Sequence, residues 1–341
     1  MKKKRMSFLL VAILLVVGLT GCAGNEAQNS GQDTETEQTE TVRVAVMTNN
    51  ITQWVATVGE TQGIFAENGI DLEVSEFAAG INTADAVALG QAEIGNMADY
   101  ALVNRIGSVE NSTLRILAST QVTKDGTAGT SLYVNPDQIK ALSDLAGQPL
   151  GTVIGTVNDY YVDQTYTVAG ISEVEQNIVA VSDYAAGVTA AQTGDIVALW
   201  ASGADAQKVQ TAGFVALISL ADLQIFTNAY VFTTETYLAD HQETIIKYLK
   251  AYQATIDWMI ANEDQAAKII EEKNYIPADV FLSSLASQYY RLSLEQSDVD
   301  TITELEDWEF QNGNFKQSYD IRSFIKADPL KAALPASVNF H

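Results

Sequence analysis

The chain has 341 residues, and 43 Asp and Glu against 19 Lys and Arg give it a formal net charge of −24. That balance excludes nucleic acid and anionic membrane surfaces as electrostatic partners, since both are held through Lys and Arg. The single cysteine excludes an intrachain disulfide, and a chain of this length is expected to divide into two domains.

The N-terminus points to a compartment. Met1 to Arg5 is basic, and Phe8 to Leu19 is an almost unbroken apolar run. The run is shorter than the roughly 20 apolar residues that span a bilayer, so residues 1–21 are predicted to be a signal peptide. It ends in Leu19-Thr20-Gly21-Cys22, which resembles the lipobox of bacterial lipoproteins. The resemblance implies cleavage before Cys22, lipidation of its thiol and an extracytoplasmic protein anchored to the cell membrane. Residues 22–41 then repeat Thr, Glu and Gln with no large apolar side chain. Such a segment cannot offset its ordering entropy by burial and is expected to be a disordered tether.

Periodicity gives the folded part in chain order. Thr41 to Val46 is a short strand, Thr52 to Glu67 a helix closed by Asn68-Gly69, and Ile70 to Val74 an alternating strand. Asn82 is placed to cap a helix over residues 83–90. A strand over 92–96, a helix through Arg105 and strands at 113–120 and 131–134 follow. This alternation predicts a mostly parallel sheet. A second unit opens at Asn135-Pro136 with strands at 149–154, 177–181, 195–200 and 215–220, and helices at 157–170, 183–193 and 203–212 between them. Tyr230 to Thr233 is predicted to return the chain to the first unit. Glu243 to Ile260 places Ile245, Ile246, Leu249, Tyr252, Ile256, Met259 and Ile260 at helical spacing. Further helices are expected after Asn262 and Pro277, and two more over 295–326.

Five short elements in this order resemble the substrate-binding proteins of nitrate, sulfonate, taurine and thiamine-precursor ABC importers. They are VRVAV, the Gly59–Phe77 segment GETQGIFAENGIDLEVSEF, LGQAEIG at 89–95, LSDLAG at 142–147 and AQTGDIVA at 191–198. Gln148 and Val197 depart from the family pattern, at positions not expected to touch ligand. The resemblance covers residues 42 to about 270. It implies a type II periplasmic-binding-protein fold: two Rossmann-like α/β lobes, residues 42–131 plus 230–341 and residues 132–229, with a ligand cleft between them. It further implies a monomer that captures a small organic solute for the transmembrane subunits of an ABC permease, with no cofactor.

The cleft of an open α/β sheet lies at the strand ends. The candidate ligand residues of lobe 1 are Asn49, Asn50, Trp54, Gly80, Asn82, Met97, Asp99, Tyr100 and Thr120. Those of lobe 2 are Gly155, Thr156, Asn158, Asp159 and Trp200, with Asn228 near the second crossing. None is basic. An oxyanion would be held by amides at a helix N-terminus, for which Gly155-Thr156 is suited. Asp99 and Asp159 instead suit an amine, and Trp54, Tyr100 and Trp200 suit a flat ring or a cation. The pattern admits an aminosulfonate such as taurine or a pyrimidine-like thiamine precursor. Helix capping by the two aspartates and core packing by the two tryptophans are equally open readings.

An enzyme is disfavoured. His241 and His341 are far apart, and no H-E-x-x-H, G-x-S-x-G, P-loop or G-x-G-x-x-G stands in the sequence. The cysteine-rich motif of the pyrimidine-synthesising enzymes that the family also resembles has no counterpart either. A lipoprotein that presents ligand to a receptor is the third reading.

Overall fold

The computed structural model describes residues 39–123 and 129–341. The signal peptide, Cys22 and most of the tether lie outside them. The first run is β1 (Glu40–Met47), α1 (Ile51–Thr61), α2 (Ile64–Glu67), β2 (Ile70–Phe77), α3 (Gly80–Ala88), β3 (Ile94–Ala98), α4 (Asp99–Gly107) and β4 (Leu114–Thr123). The second is β5 (Thr130–Val134), β6 (Leu150–Val153), α5 (Val157–Ala169), β7 (Ile178–Val181), α6 (Tyr184–Thr193), β8 (Ala198–Ser202), α7 (Gly203–Thr211) and β9 (Val215–Ser219). The third begins with β10 (Asn228–Thr234), α8 (Glu235–Asp240), α9 (Gln242–Ala261), α10 (Glu263–Asn274) and α11 (Ala278–Ser287). It ends with β11 (Gln288–Glu295), α12 (Gln296–Gln311), α13 (Asp328–Ala333) and β12 (Val338–Asn339).

These strands form two sheets. The larger has the order β12-β11-β4-β10-β3-β1-β2, the smaller β7-β6-β8-β5-β9. The chain passes between them twice, from β4 to β5 and from β9 to β10. In each sheet the strand that arrives from the other runs against its neighbours: β10 is antiparallel to β3 and β4, and β5 to β8 and β9. The sheets are therefore mixed, where the alternation of elements predicted mostly parallel ones. Arrival from the far lobe fixes the direction of these strands, and local sequence does not carry that information.

Four local readings are corrected. β1 starts at Glu40, inside the expected tether, because Glu40 N–H donates to the Gly69 carbonyl at 2.9 Å and its carboxylate takes the Thr244 hydroxyl. α3 starts at Gly80, so Asn82 is an exposed first-turn residue and not its cap. Residues 288–295, with no helix or strand assigned in advance, form β11 against β4. On α9, Ile245, Leu249, Tyr252, Ile256 and Met259 are buried as the spacing requires, but Ile260 is 47% exposed at the helix end.

The larger sheet carries the main core, where Val42, Val44, Ile94, Ile116 and Phe232 meet Leu249 and Ile256 of α9. The smaller has one cluster on each face, around Leu150, Tyr166 and Trp200 and around Val188, Leu199 and Val209. Each apolar side chain of this size contributes roughly 1.5–3 kcal/mol when fully buried. The central strands of both sheets are thus buried, while the edge strands β2, β7 and β9 keep exposed side chains.

Candidate functional site

Strand direction brings the C-terminal ends of β3 and β6 and the N-terminal end of β10 to one place. A cavity of about 420 Å³ opens there, lined by Asp99, Tyr100, Ala101 and Asn104 of α4, by Gly155, Thr156, Val157 and Tyr161, and by Ile81, Ala98 and Thr227. A smaller compartment of about 30 Å³ continues toward the crossing strands and shares Asp99, Val157, Tyr161 and Thr227. Its other walls are Tyr160, Gln224 to Phe226, and Thr301, Glu304 and Leu305 of α12.

Asp99 forms the floor of both. As the first residue of α4 it takes Tyr100 N–H on Oδ1 at 2.8 Å, and Oδ2 takes Asn228 N–H at 2.7 Å, which ties β10 to β3. Burial nonetheless pushes its carboxyl up to about 6, against the lowering effect of those amides. Asn228 is buried and donates to Asp298 Oδ1 at 2.9 Å, and Tyr230 donates its hydroxyl to the Asp298 carbonyl at 2.6 Å. Asp298 in turn receives Glu295 N–H at 2.8 Å. The floor is thus wired to the start of α12.

Opposite, Gly155 adopts φ +80°, a left-handed turn that glycine enters without a Cβ penalty, and delivers the chain into α5. Thr156 caps α5 through Asn158 N–H at 3.3 Å. Asp159 Oδ2 takes Gly155 N–H at 2.6 Å and Oδ1 takes the Thr152 hydroxyl at 3.2 Å. Of the amides expected to greet an oxyanion, that of Gly155 is therefore already satisfied by a carboxylate, and burial raises that carboxyl above its ordinary value.

Aromatic rings bridge the two halves. Trp308 of α12 lies 6.2 Å from Tyr100 and meets Tyr160 of α5 edge-on at 5.4 Å, and its Nε1–H donates to Asp163 Oδ2 at 2.8 Å. Tyr161 continues the series toward Trp200 at 5.7 Å. Burial first, then Glu309 and Asp159, raises the Tyr100 phenol. Behind Asn104, Glu309 is fully buried: Oε2 accepts Asn104 Nδ2–H at 2.7 Å, Oε1 makes no hydrogen bond, and burial lifts the group to about 8.

Of the residues singled out from sequence, Asp99, Tyr100, Gly155 and Thr156 line the cavity, with Asp159 directly behind. Trp54 does not: it is 3% exposed and stacks edge-on against Phe281 at 5.2 Å, because α1 turns that face to α11. Trp200 is core, with Nε1–H donating to Thr165 Oγ1 at 3.0 Å; with Asn158 it borders a void of about 10 Å³ inside the smaller sheet's half. Thr120 is buried and donates to the Ala229 carbonyl at 3.1 Å. Met97 is buried under Gly80, whose close approach leaves no room for a side chain. Asn50 caps α1 by accepting Thr52 N–H at 3.0 Å, while Asn49 is exposed. Neither they nor Asn82, Asn228 and Gly80 line either compartment. Asn104, Glu304 and Trp308 carry no local signature: Asn104 follows Leu102-Val103 on α4, and Glu304 and Trp308 stand in the polar α12, which β11 sets against the cleft. Among the described residues no group of three or more His, Cys, Asp or Glu is placed to hold a metal.

The geometry can be set beside known proteins. The family model described as NMT1/THI5 like matches residues 49–266. No curated protein matches the chain by sequence. Among solved structures, the periplasmic aliphatic sulphonate binding protein SsuA from Escherichia coli is similar over 84% of this chain and 92% of that one, at 16% identity and a TM-score of 0.72. The alkanesulfonate-binding protein SsuA from Xanthomonas axonopodis pv. citri, solved bound to MOPS, is similar over 85% and 99%, at 12% identity and a TM-score of 0.62. The desulfurization enzyme DSZB is similar over 87% and 99%, at 12% identity and a TM-score of 0.62. What is shared at these identities is the fold, that of the two-lobed periplasmic binding proteins.

Proposed function

The chain belongs to the NMT1/THI5-like family, and from that premise we propose that it is the extracytoplasmic solute-binding lipoprotein of an ABC importer. It captures a small organic solute in the cleft between its lobes and hands it to the permease, with Cys22 as the lipid anchor. The observation that carries this reading is the aromatic-walled cavity at the strand ends, bounded by both lobes. Ligand that touches both lobes shifts the population toward closure. The cavity walls supply Asp, Tyr, Thr and Asn but no Cys, His or Lys, which supports binding over catalysis even though one structural neighbour is an enzyme.

Between a sulfonate and a nitrogen heterocycle, the walls favour the heterocycle. Neither compartment is lined by Lys or Arg, and the Asp159 carboxylate holds the Gly155 N–H just ahead of α5, which places a negative charge beside the amides an oxyanion would use. A thermal-shift screen of pyrimidine derivatives against taurine and alkanesulfonates tests the reading. A ligand at 100 times its Kd stabilises by about 2.7 kcal/mol, and a screen in which no organic solute of either class stabilises the chain would refute it.

A further inference from the structure

The smaller compartment differs in its walls from the larger cavity. It is much the smaller of the two, and what sets it apart is the chemistry of those walls. An ammonium is water-sized and carries three donors and no acceptor. The walls answer that inventory with acceptors: the Asp99 and Glu304 carboxylates, the Gln224 amide oxygen and the Thr301 hydroxyl. Tyr160, Tyr161 and Phe226 supply ring surface, which attracts a cation and repels an anion. Glu304 makes no hydrogen bond or ion pair among the described residues, so its charge is uncommitted. Resting on the capture reading above, we propose that the ligand carries a primary ammonium head seated between Asp99 and Glu304, its flat body filling the larger cavity, and that Glu304 is the residue that selects this charge. Burial foremost, then Glu304, Asp99 and Asp163, pushes the Tyr160 phenol up to about 12. Glu304 belongs to α12, beyond the residues 49–266 that the family model matches, so this selection comes from the C-terminal segment of the chain.

Isothermal titration of the full chain with matched ligands decides it: aminomethyl, hydroxymethyl and sulfomethyl heads on a pyrimidine ring and on a phenyl ring. The amine is expected to bind at least about tenfold more tightly than the alcohol on one of the rings. Glu304→Gln should cut that ratio about tenfold, and Glu304→Lys should turn the preference toward the sulfonate. Glu304 is exposed on α12, and unchanged urea midpoints would show that both variants fold. An alcohol that matches the amine, or a ratio that Glu304→Gln leaves intact, overturns the inference. A preference for the sulfonate overturns it too but leaves solute capture standing, whereas no binding by any head on either ring removes both.

Discussion

Replacing Glu309 by Gln should change how stability depends on pH. The side chain is fully buried on α12, with one oxygen held by Asn104 and the other without a partner. Burial lifts its carboxyl from the ordinary 4.5 to about 8, the Asn104 and Asn314 amides oppose the rise, and Asp99 and Glu306 add to it. A carboxyl raised on folding contributes stability that is complete below 4.5 and is lost as pH rises through about 8. Below 4.5 both states hold the proton; between the two values only the folded state does, so the unfolded state gains by ionising. At about 1.4 kcal/mol per pH unit, the loss between pH 5 and pH 8 comes to roughly 3 kcal/mol. Gln keeps the oxygen that Asn104 needs and has nothing to ionise. The difference in unfolding free energy between variant and parent should therefore grow by about 3 kcal/mol from pH 5 to pH 8 in favour of the variant. Urea unfolding at several pH values and high salt, which mutes the general acidic repulsion, measures that difference. Parallel profiles for the two proteins would show that Glu309 does not titrate in this window and that its burial has been misread.

Three further outcomes follow from the same geometry. With Asp99 near 6, the affinity for an amine should rise about tenfold from pH 5 to pH 7 as the carboxylate ionises, and Asp99→Asn should flatten that rise in titration calorimetry. Trp308→Phe removes the bond to Asp163 that joins the lobes, worth roughly 1.5–3 kcal/mol for a charged acceptor; small-angle scattering of the ligand-free protein should show a larger radius of gyration, and an unchanged radius would deny the bond its bridging role. Gly80→Ala places a Cβ 2.8 Å from the Met97 Cβ, and overpacking of this kind costs about 1–3 kcal/mol, to be read as a lowered urea midpoint.

The fold was legible where hydrophobic periodicity and turn residues agree. The α9 spacing, the Asn68-Gly69 stop and the strand over 70–74 needed only local rules. β11 was not legible: Gln288-Tyr289-Tyr290-Arg291 has no clean alternation, and its strand character comes from pairing with β4 far along the chain. Of the site, the loop residues after β3 and β6 could be read because a strand end before a helix announces itself through Gly155-Thr156 or Asp99. The α12 contribution could not. Glu304 and Trp308 stand in a polar helix whose sequence fits any solvated surface, and only the register of β11 turns them toward the cleft.

The reason Asp99 matters more than the other predicted acid lies in what each one already has. Asp159 satisfies itself on Gly155 N–H and the Thr152 hydroxyl at the start of its own helix, where the dipole favours negative charge. Asp99 has comparable partners, two backbone amides at 2.7 and 2.8 Å, and it too begins a helix. Yet its carboxyl stands at about 6, because burial outweighs what two amides and a short helix return. A positive charge nearby would restore an ordinary carboxylate, and no Lys or Arg lines either compartment beside it. A ligand that brings that charge gains the energy the protein leaves unclaimed, and an anion has to add its own repulsion to the deficit. The polarity of the cleft floor thus follows from how β10 closes over β3: the backbone join that builds the fold, Asn228 N–H to Asp99, is also what holds this buried carboxylate in place, opposite the selecting charge of Glu304.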